Sequence, residues 1–120
     1  MRISDFKLKP LTEKHATYKY LNWFKNSQIK KNIVFNKYNN LDHLKNYIKN
    51  AKRKKDCLLG VFFKDSHIGN IKFEKPSLTN KKKLVSYLGI MIGDQKFRGK
   101  GSTHLILQKA IKIFTKKTSV

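Results

Sequence analysis

The densest chemical signal in the chain is Leu88-Gly89-Ile90-Met91-Ile92-Gly93-Asp94-Gln95-Lys96-Phe97-Arg98-Gly99-Lys100-Gly101-Ser102-Thr103, an aliphatic run that passes through glycines into a helical pattern. Glycines let successive backbone N–H groups point into one concavity. A helix N-terminus just beyond adds unpaired donors and the positive end of its dipole. Such a turn is a cradle for an anion of pyrophosphate size. Arg98 and Lys100 add charge, and an exposed strand edge before the turn can hydrogen-bond an amide-containing arm.

Two familiar phosphate loops do not fit. A P-loop has four residues between its first glycine and Gly-Lys, followed by Ser or Thr, whereas five residues separate Gly93 from Gly99 and Gly101 follows Lys100. A dinucleotide fingerprint needs a third glycine where His104 stands. The stretch instead resembles the signature of the GNAT acetyltransferase superfamily: Gln or Arg, two residues, Gly, one residue, then Gly or Ala. Here it reads Arg98-Gly99-Lys100-Gly101-Ser102-Thr103, departing at Thr103. Tyr20-Leu21-Asn22-Trp23-Phe24, Leu44-Lys45-Asn46-Tyr47-Ile48, His67-Ile68-Gly69-Asn70-Ile71 and Gly89-Ile90-Met91-Ile92-Gly93-Asp94 extend the likeness over nearly the whole chain. They resemble the branch of ribosomal-protein and amino-sugar N-acetyltransferases.

The resemblance implies acetyl-CoA as co-substrate and transfer of acetyl to a primary amine of an amino sugar or a protein N-terminus. It assigns Arg98, Gly99, Lys100, Gly101, Ser102 and Thr103 to the pyrophosphate, and Ile90, Met91 and Ile92 to the pantetheine arm. A strand amide near Ile90 to Ile92 would polarise the thioester carbonyl. Acetyl transfer also needs a deprotonated amine and a proton route to the thiolate. Glu74 at the end of a hairpin is the first candidate base, followed by Glu13 and His15. Tyr20, Asn22 and Trp23 are expected near the acceptor, and Tyr87 beside the cofactor strand. Each has a plainer reading: surface carboxylates, a surface imidazole and core aromatics.

His67 and His104 have no second ligand at metal spacing, so no metal is expected. Cys57 is the only cysteine, which rules out an intrachain disulfide, and the apolar residues after it suggest a buried strand position.

The elements that must carry these groups follow from hydrophobic period. Ile3 to Leu11 reads as an edge strand. A helix is predicted from Thr12 through Ala16, Tyr20, Leu21 and Phe24, and Asn26 to Asn40 as a surface loop. A second helix carries Leu41, Leu44, Tyr47, Ile48 and Ala51 and ends in Lys52-Arg53-Lys54-Lys55. Cys57 to Phe63 and His67 to Phe73 form an antiparallel hairpin. Leu84 to Ile92 reads as one strand buried on both faces, and Leu105 to Phe114 as a last helix. The resulting fold class is α+β, GNAT-like. Its mixed, largely antiparallel sheet is flanked by helices in the order β-α-α-β-β-β-α, in one partial N-acetyltransferase domain over residues 1–120. By resemblance it lacks a C-terminal strand, helix and hairpin, leaving Leu84 to Ile92 with an exposed edge through which copies could self-associate.

Composition bounds the rest. The 120 residues carry 28 Lys and Arg against 7 acidic residues, a formal charge of +21, which attracts polyanions. Nearly all the cations are Lys, less apt than Arg for bidentate phosphate or base recognition. Aromatics are not interleaved with Lys52 to Lys55 or Lys81 to Lys83. A basic polyanion-binding module and an inactive remnant are the rival readings, with nucleic acid disfavoured. Without a long apolar run or a signal-like N-terminus, no membrane partner and a cytoplasmic location are expected.

Overall fold

The structure, a computed structural model, describes residues 3–24, 40–99 and 101–118. The stretch read as a surface loop therefore lies outside the described residues except for Asn40, as does Lys100. Four strands form one antiparallel sheet, and helices pack on both of its faces.

After a 3-10 turn at Ile3–Asp5, strand β1 (Phe6–Pro10) forms one edge of the sheet and pairs with β2 (Cys57–Phe63). Pro10, which has no N–H to donate, ends it. The single helix expected from Thr12 is two pieces. A 3-10 turn spans Glu13–His15, Ala16 leaves helical geometry at φ −76° and ψ 86°, and α1 (Tyr18–Trp23) starts afresh. The reason is a second cap: the Thr17 hydroxyl accepts from the Tyr20 N–H at 3.2 Å and so competes with helix continuation. Helix α2 (Leu41–Arg53) matches its predicted pattern. Asn40 Oδ1 accepts from the His43 N–H at 2.9 Å, and Lys52 and Arg53 sit at the negative end of its dipole.

The β2–β3 hairpin turns through Lys64 and Asp65, both left-handed at φ 47° and 67°, and continues as β3 (Ser66–Phe73). This mirror-image turn matches the twist of the two strands. The pairing slips once: Val61 faces Gly69 and Phe62 faces His67, so Ile68 is an extra residue on β3. Such a bulge re-aims the side chains on either side of it. Ile68 and Ile71, three residues apart, consequently share one face with Phe73. There they meet Ile106, Ala110 and Phe114 of α3 (Ser102–Lys117). Phe114 stacks on Phe73 with centroids 4.1 Å apart and planes inclined by 6°. The Lys109 ammonium donates to the Phe6 carbonyl, tying α3 to β1. The other face is covered by α1 and α2 through Tyr20, Leu21, Trp23, Leu44, Ile48 and Ala51.

The strand expected over Leu84 to Ile92 is broken. Leu84–Val85 (β5) pairs with Ser77–Leu78 (β4) in a separate small hairpin, and only Leu88–Ile92 (β6) joins the main sheet, beside β3. Between them, the Ser86 hydroxyl donates to the Glu74 carbonyl and the Glu74 N–H to the Tyr87 carbonyl, drawing the chain across the end of β3. Nor is β6 buried on both faces. It is the second edge of the sheet, and Leu88 and Ile90 keep 43% and 37% of their surface exposed. No described helix is long and apolar enough to cross a membrane.

Replacing Phe114 by Ala removes the ring stacked on Phe73 from a closed core. Urea unfolding should show a loss of about 3–5 kcal/mol, and an unchanged midpoint would mean that α3 does not close this face.

Candidate active site

The glycine-rich loop joins the C-terminal end of β6 to α3. The N–H groups of Gly93 and Asp94 both donate to the Ile68 carbonyl, at 2.9 and 3.1 Å, anchoring the loop to the bulge of β3. A 3-10 turn at Gln95–Phe97 follows, capped by the Asp94 carboxylate on the Lys96 N–H. Phe97 packs against Phe6 and Phe63. Gly99 and Gly101 are both left-handed, at φ 72° and 77°, and Gly101 is the N-cap of α3. A Cβ placed on either would meet nothing within 4 Å, so the concavity above the helix N-terminus is open. That opening suits a phosphate group, which helix N-termini bind through backbone donors and the dipole.

The predicted phosphate ligands differ in how they are placed. Arg98 folds back along the loop, its Nε donating to the Ile92 carbonyl at 2.8 Å and its Nη2 to the Gly93 carbonyl at 3.3 Å. It braces the end of β6 while keeping its charge at the loop. Ser102 is buried, Thr103 half-buried, and Lys100 lies outside the described residues. On β6, Met91 packs toward the α1 and α2 side and Ile92 toward α3.

Trp23 reaches this strand from α1. A Cβ on Gly93 would fall 1.9 Å from the indole, so only glycine lets the ring lie on the backbone where β6 ends. The indole also meets the His67 ring edge-on at 4.8 Å between centroids. Tyr20 does so at 5.4 Å, and Phe62 stacks on His67 at 5.0 Å. Tyr20 and Trp23, expected near the acceptor, are therefore walls of an aromatic enclosure. Asn22, from the same helix, is exposed.

The enclosure surrounds a polar pair. The bulge turns His67 and Asn70 onto one face, where His67 Nε2 and Asn70 Oδ1 are 2.7 Å apart. Asn70 is only 5% exposed, and its Nδ2 has no hydrogen-bond partner among the described residues. Leaving such a buried donor unmade costs about 1–3 kcal/mol. Burial is the main force holding the His67 imidazole below its ordinary pKa, and the neighbouring His15 and Lys19 act the same way. The Asn70 side chain and the Gly69 backbone favour the charged form. His15 is likewise pushed down, first by burial and then by Lys9. Its Nδ1 accepts from the Thr12 N–H at 2.8 Å, which leaves Nε2 to carry the proton.

The other candidate base stands elsewhere. Glu74 is exposed and lies beside Tyr87, itself 70% exposed, at the start of β6. The strand separates them from the loop by about 13 Å at 3.3 Å per residue. Glu13 makes a surface ion pair with Lys49 at 3.6 Å. The structure thus gathers Tyr20, Trp23 and His15 around His67 and puts Glu74 and Tyr87 together at the other end of β6. Burial pushes the Cys57 thiol up, away from reactivity. His104 is exposed in the first turn of α3, and among the described residues no three His, Cys, Asp or Glu side chains are grouped to hold a metal ion.

No family model and no curated protein matches the sequence. Solved structures do match the fold. The microcin C7 self-immunity acetyltransferase MccE, in complex with acetyl-CoA and AMP, aligns with a TM-score of 0.72 at 20% identity, over 94% of this chain and 64% of that one. RimL, a ribosomal L7/L12 alpha-N-protein acetyltransferase in complex with coenzyme A, gives 0.76 at 14% identity over 98% and 67%. A GNAT-family acetyltransferase from Streptococcus pneumoniae gives 0.58 at 15% identity over 89% and 65%. The chain therefore has the α+β fold of GNAT acetyltransferases and spans about two thirds of the length of these proteins.

Two measurements check this site. Trp23 is the only tryptophan, so Gly93→Ala should displace its indole and shift the intrinsic fluorescence to the red, whereas unchanged emission would separate the ring from the strand end. The folded His67 holds its proton more weakly than the unfolded chain, so the unfolded state binds more protons below about pH 6.5. Stability should fall as pH drops from about 7 to about 5, and His67→Gln should flatten that slope in urea titrations.

Proposed function

We propose that the chain is an acetyl-CoA-dependent N-acetyltransferase domain that transfers acetyl to a primary amine of an amino sugar or a protein N-terminus. The observation that carries this reading is the open, left-handed Gly99 and Gly101 turn at the N-terminus of α3, joined by one short 3-10 turn to a sheet-edge strand. It is supported by a fold shared with acetyltransferases solved with acetyl-CoA or coenzyme A.

In this reading the backbone donors at Gly101 to Thr103 and the dipole of α3 hold the pyrophosphate, with Lys100 and the braced Arg98 supplying charge. Ile90, Met91 and Ile92 offer the free edge of β6 to the amides of the pantetheine arm. A β6 N–H polarises the thioester carbonyl as negative charge develops on its oxygen. Tyr20 and Trp23 shape the acceptor side, with Asn22 beside them on α1 and Tyr87 at the start of β6. Copies of the chain self-associate through the same β6 edge when the arm is absent, since Leu88 and Ile90 expose apolar surface beside unpaired backbone groups.

Calorimetric titration tests the proposal. Acetyl-CoA should bind the chain, and Gly101→Trp, which fills the cradle, should weaken binding at least about tenfold, a loss of about 1.4 kcal/mol. The far-UV dichroism should not change. Failure of the wild-type chain to bind would sink the reading. Sedimentation should show dimers that acetyl-CoA dissociates, and monomers at every concentration would remove the self-association.

A further inference from the structure

The pair of half-buried His67 and buried Asn70 is not explained by packing, because an apolar side chain in place of Asn70 would fill the same position without leaving a donor unmet. Asn70 stands directly opposite Met91 on β6, and Gly69 opposite Ile92. The pair is therefore one strand away from the segment read as holding the pantetheine arm. Trp23 touches both the imidazole and Gly93. On its other side His67 lines an open groove between the Glu13–His15 turn, α1 and the β2–β3 turn. Lys14, His15, Lys19, Lys64, Asp65 and Ser66 contribute to that groove, with Lys19 Nζ donating to Ser66 Oγ at 2.9 Å. The imidazole thus connects a solvent-filled entrance with the neighbourhood of β6.

Resting on the acetyltransferase reading, we infer that His67, oriented by Asn70, accepts the proton of the incoming amine from this groove. Asn70 Oδ1 takes the Nε2–H, which fixes the neutral tautomer and leaves the Nδ1 lone pair as the base. An ammonium gives a proton to Nδ1, directly or over one water. The freed amine attacks the thioester carbon, so that a C–N bond forms and the C–S bond breaks. The second amine proton leaves with the thiolate as CoA thiol, and the imidazolium returns its proton to solvent through the groove. Asn70 Oδ1 and the Gly69 backbone stabilise the imidazolium, while Lys19 and His15 oppose it and make its proton easy to release. Lys14, Lys19 and Lys64 around the groove also press a bound amine toward its free-base form. The rings of Tyr20, Trp23 and Phe62 complete the enclosure.

The test measures thiol release from acetyl-CoA with two probe amines, glucosamine and a tripeptide with a free N-terminus, from about pH 5 to about pH 9. The wild type should lose kcat/KM on an acid limb centred below about 6.5, the ordinary histidine value. His67→Gln should lower kcat about 100-fold or more and abolish that limb while leaving the KM for acetyl-CoA unchanged. Asn70→Ala should shift the limb, and Glu74→Gln should retain it. Persistence of the limb in His67→Gln, or its loss in Glu74→Gln, would overturn the assignment. If neither probe turns over, imidazole NMR decides: with CoA present, either amine must shift the His67 ring signals and lower their midpoint, because an ammonium donating to Nδ1 favours the neutral ring, and unmoved signals reject the role. Calorimetry keeps the two ideas apart, since absence of acetyl-CoA binding removes the acetyltransferase reading itself, whereas intact binding with an unaffected His67 removes only this inference.

Discussion

One inserted residue in β3 governs the arrangement of both halves of the site. Without the bulge at Ile68, His67 and Asn70 would project from opposite faces of the strand, and Ile68 would leave the core it shares with Ile71 and Phe73. The same residue supplies the carbonyl that accepts from both Gly93 and Asp94. The irregularity therefore sets the position of the glycine loop on one side and the orientation of the imidazole on the other. Gly69, beside it, has no space for a side chain, because a Cβ would come within 2.4 Å of the Met91 carbonyl. The close approach of β6 to β3 depends on that glycine.

Around this point the two faces of the sheet divide the work. The α3 face is almost wholly apolar, built from aliphatic residues, the Phe73 and Phe114 stack and the Phe6, Phe63 and Phe97 cluster. The α1 and α2 face holds the polar exceptions. Precision in a polar site needs rotamers locked by packing. The rings of Tyr20, Trp23 and Phe62 supply that for His67, while Trp23 ties the enclosure to the strand end through Gly93.

Much of this architecture was legible in the residues, and the parts that were not share a cause. Helices α2 and α3 announce themselves because each buries one face with an unbroken period, and the β2–β3 hairpin because two apolar runs flank a short polar turn. The glycine loop was readable from composition and order. The bulge was not, since a strand pattern counts alternation and one extra residue among apolar neighbours leaves no trace. The division of the first helix turned on Thr17 acting as a second cap, and the break before β6 on backbone bonds between Glu74 and the Ser86-Tyr87 pair. In the sequence, His67 reads as a strand residue within the stretch that carries the family likeness and as an unlikely metal ligand, with no sign of a catalytic role. Its partners Tyr20, Trp23 and Phe62 come from two other elements, and no local spacing reports such a meeting. The family signature and its charge make Arg98 a phosphate ligand in the sequence, while its hydrogen bonds to the strand-end carbonyls depend on a loop conformation that sequence does not fix.

The α3 face joins residues from the two ends of the described chain: Phe6 lies in the same cluster as Phe114, and Lys109 bonds to the Phe6 carbonyl. The α1 and α2 face needs little beyond Leu58 to close most of its cluster. On a ribosome these halves therefore mature at different moments. The first can collapse while the chain is still being made, but the sheet's other surface stays bare until α3 emerges from the exit tunnel. For that interval the nascent chain presents Ile68, Ile71 and Phe73 as an open apolar strand face, exposed to off-pathway association until α3 covers it.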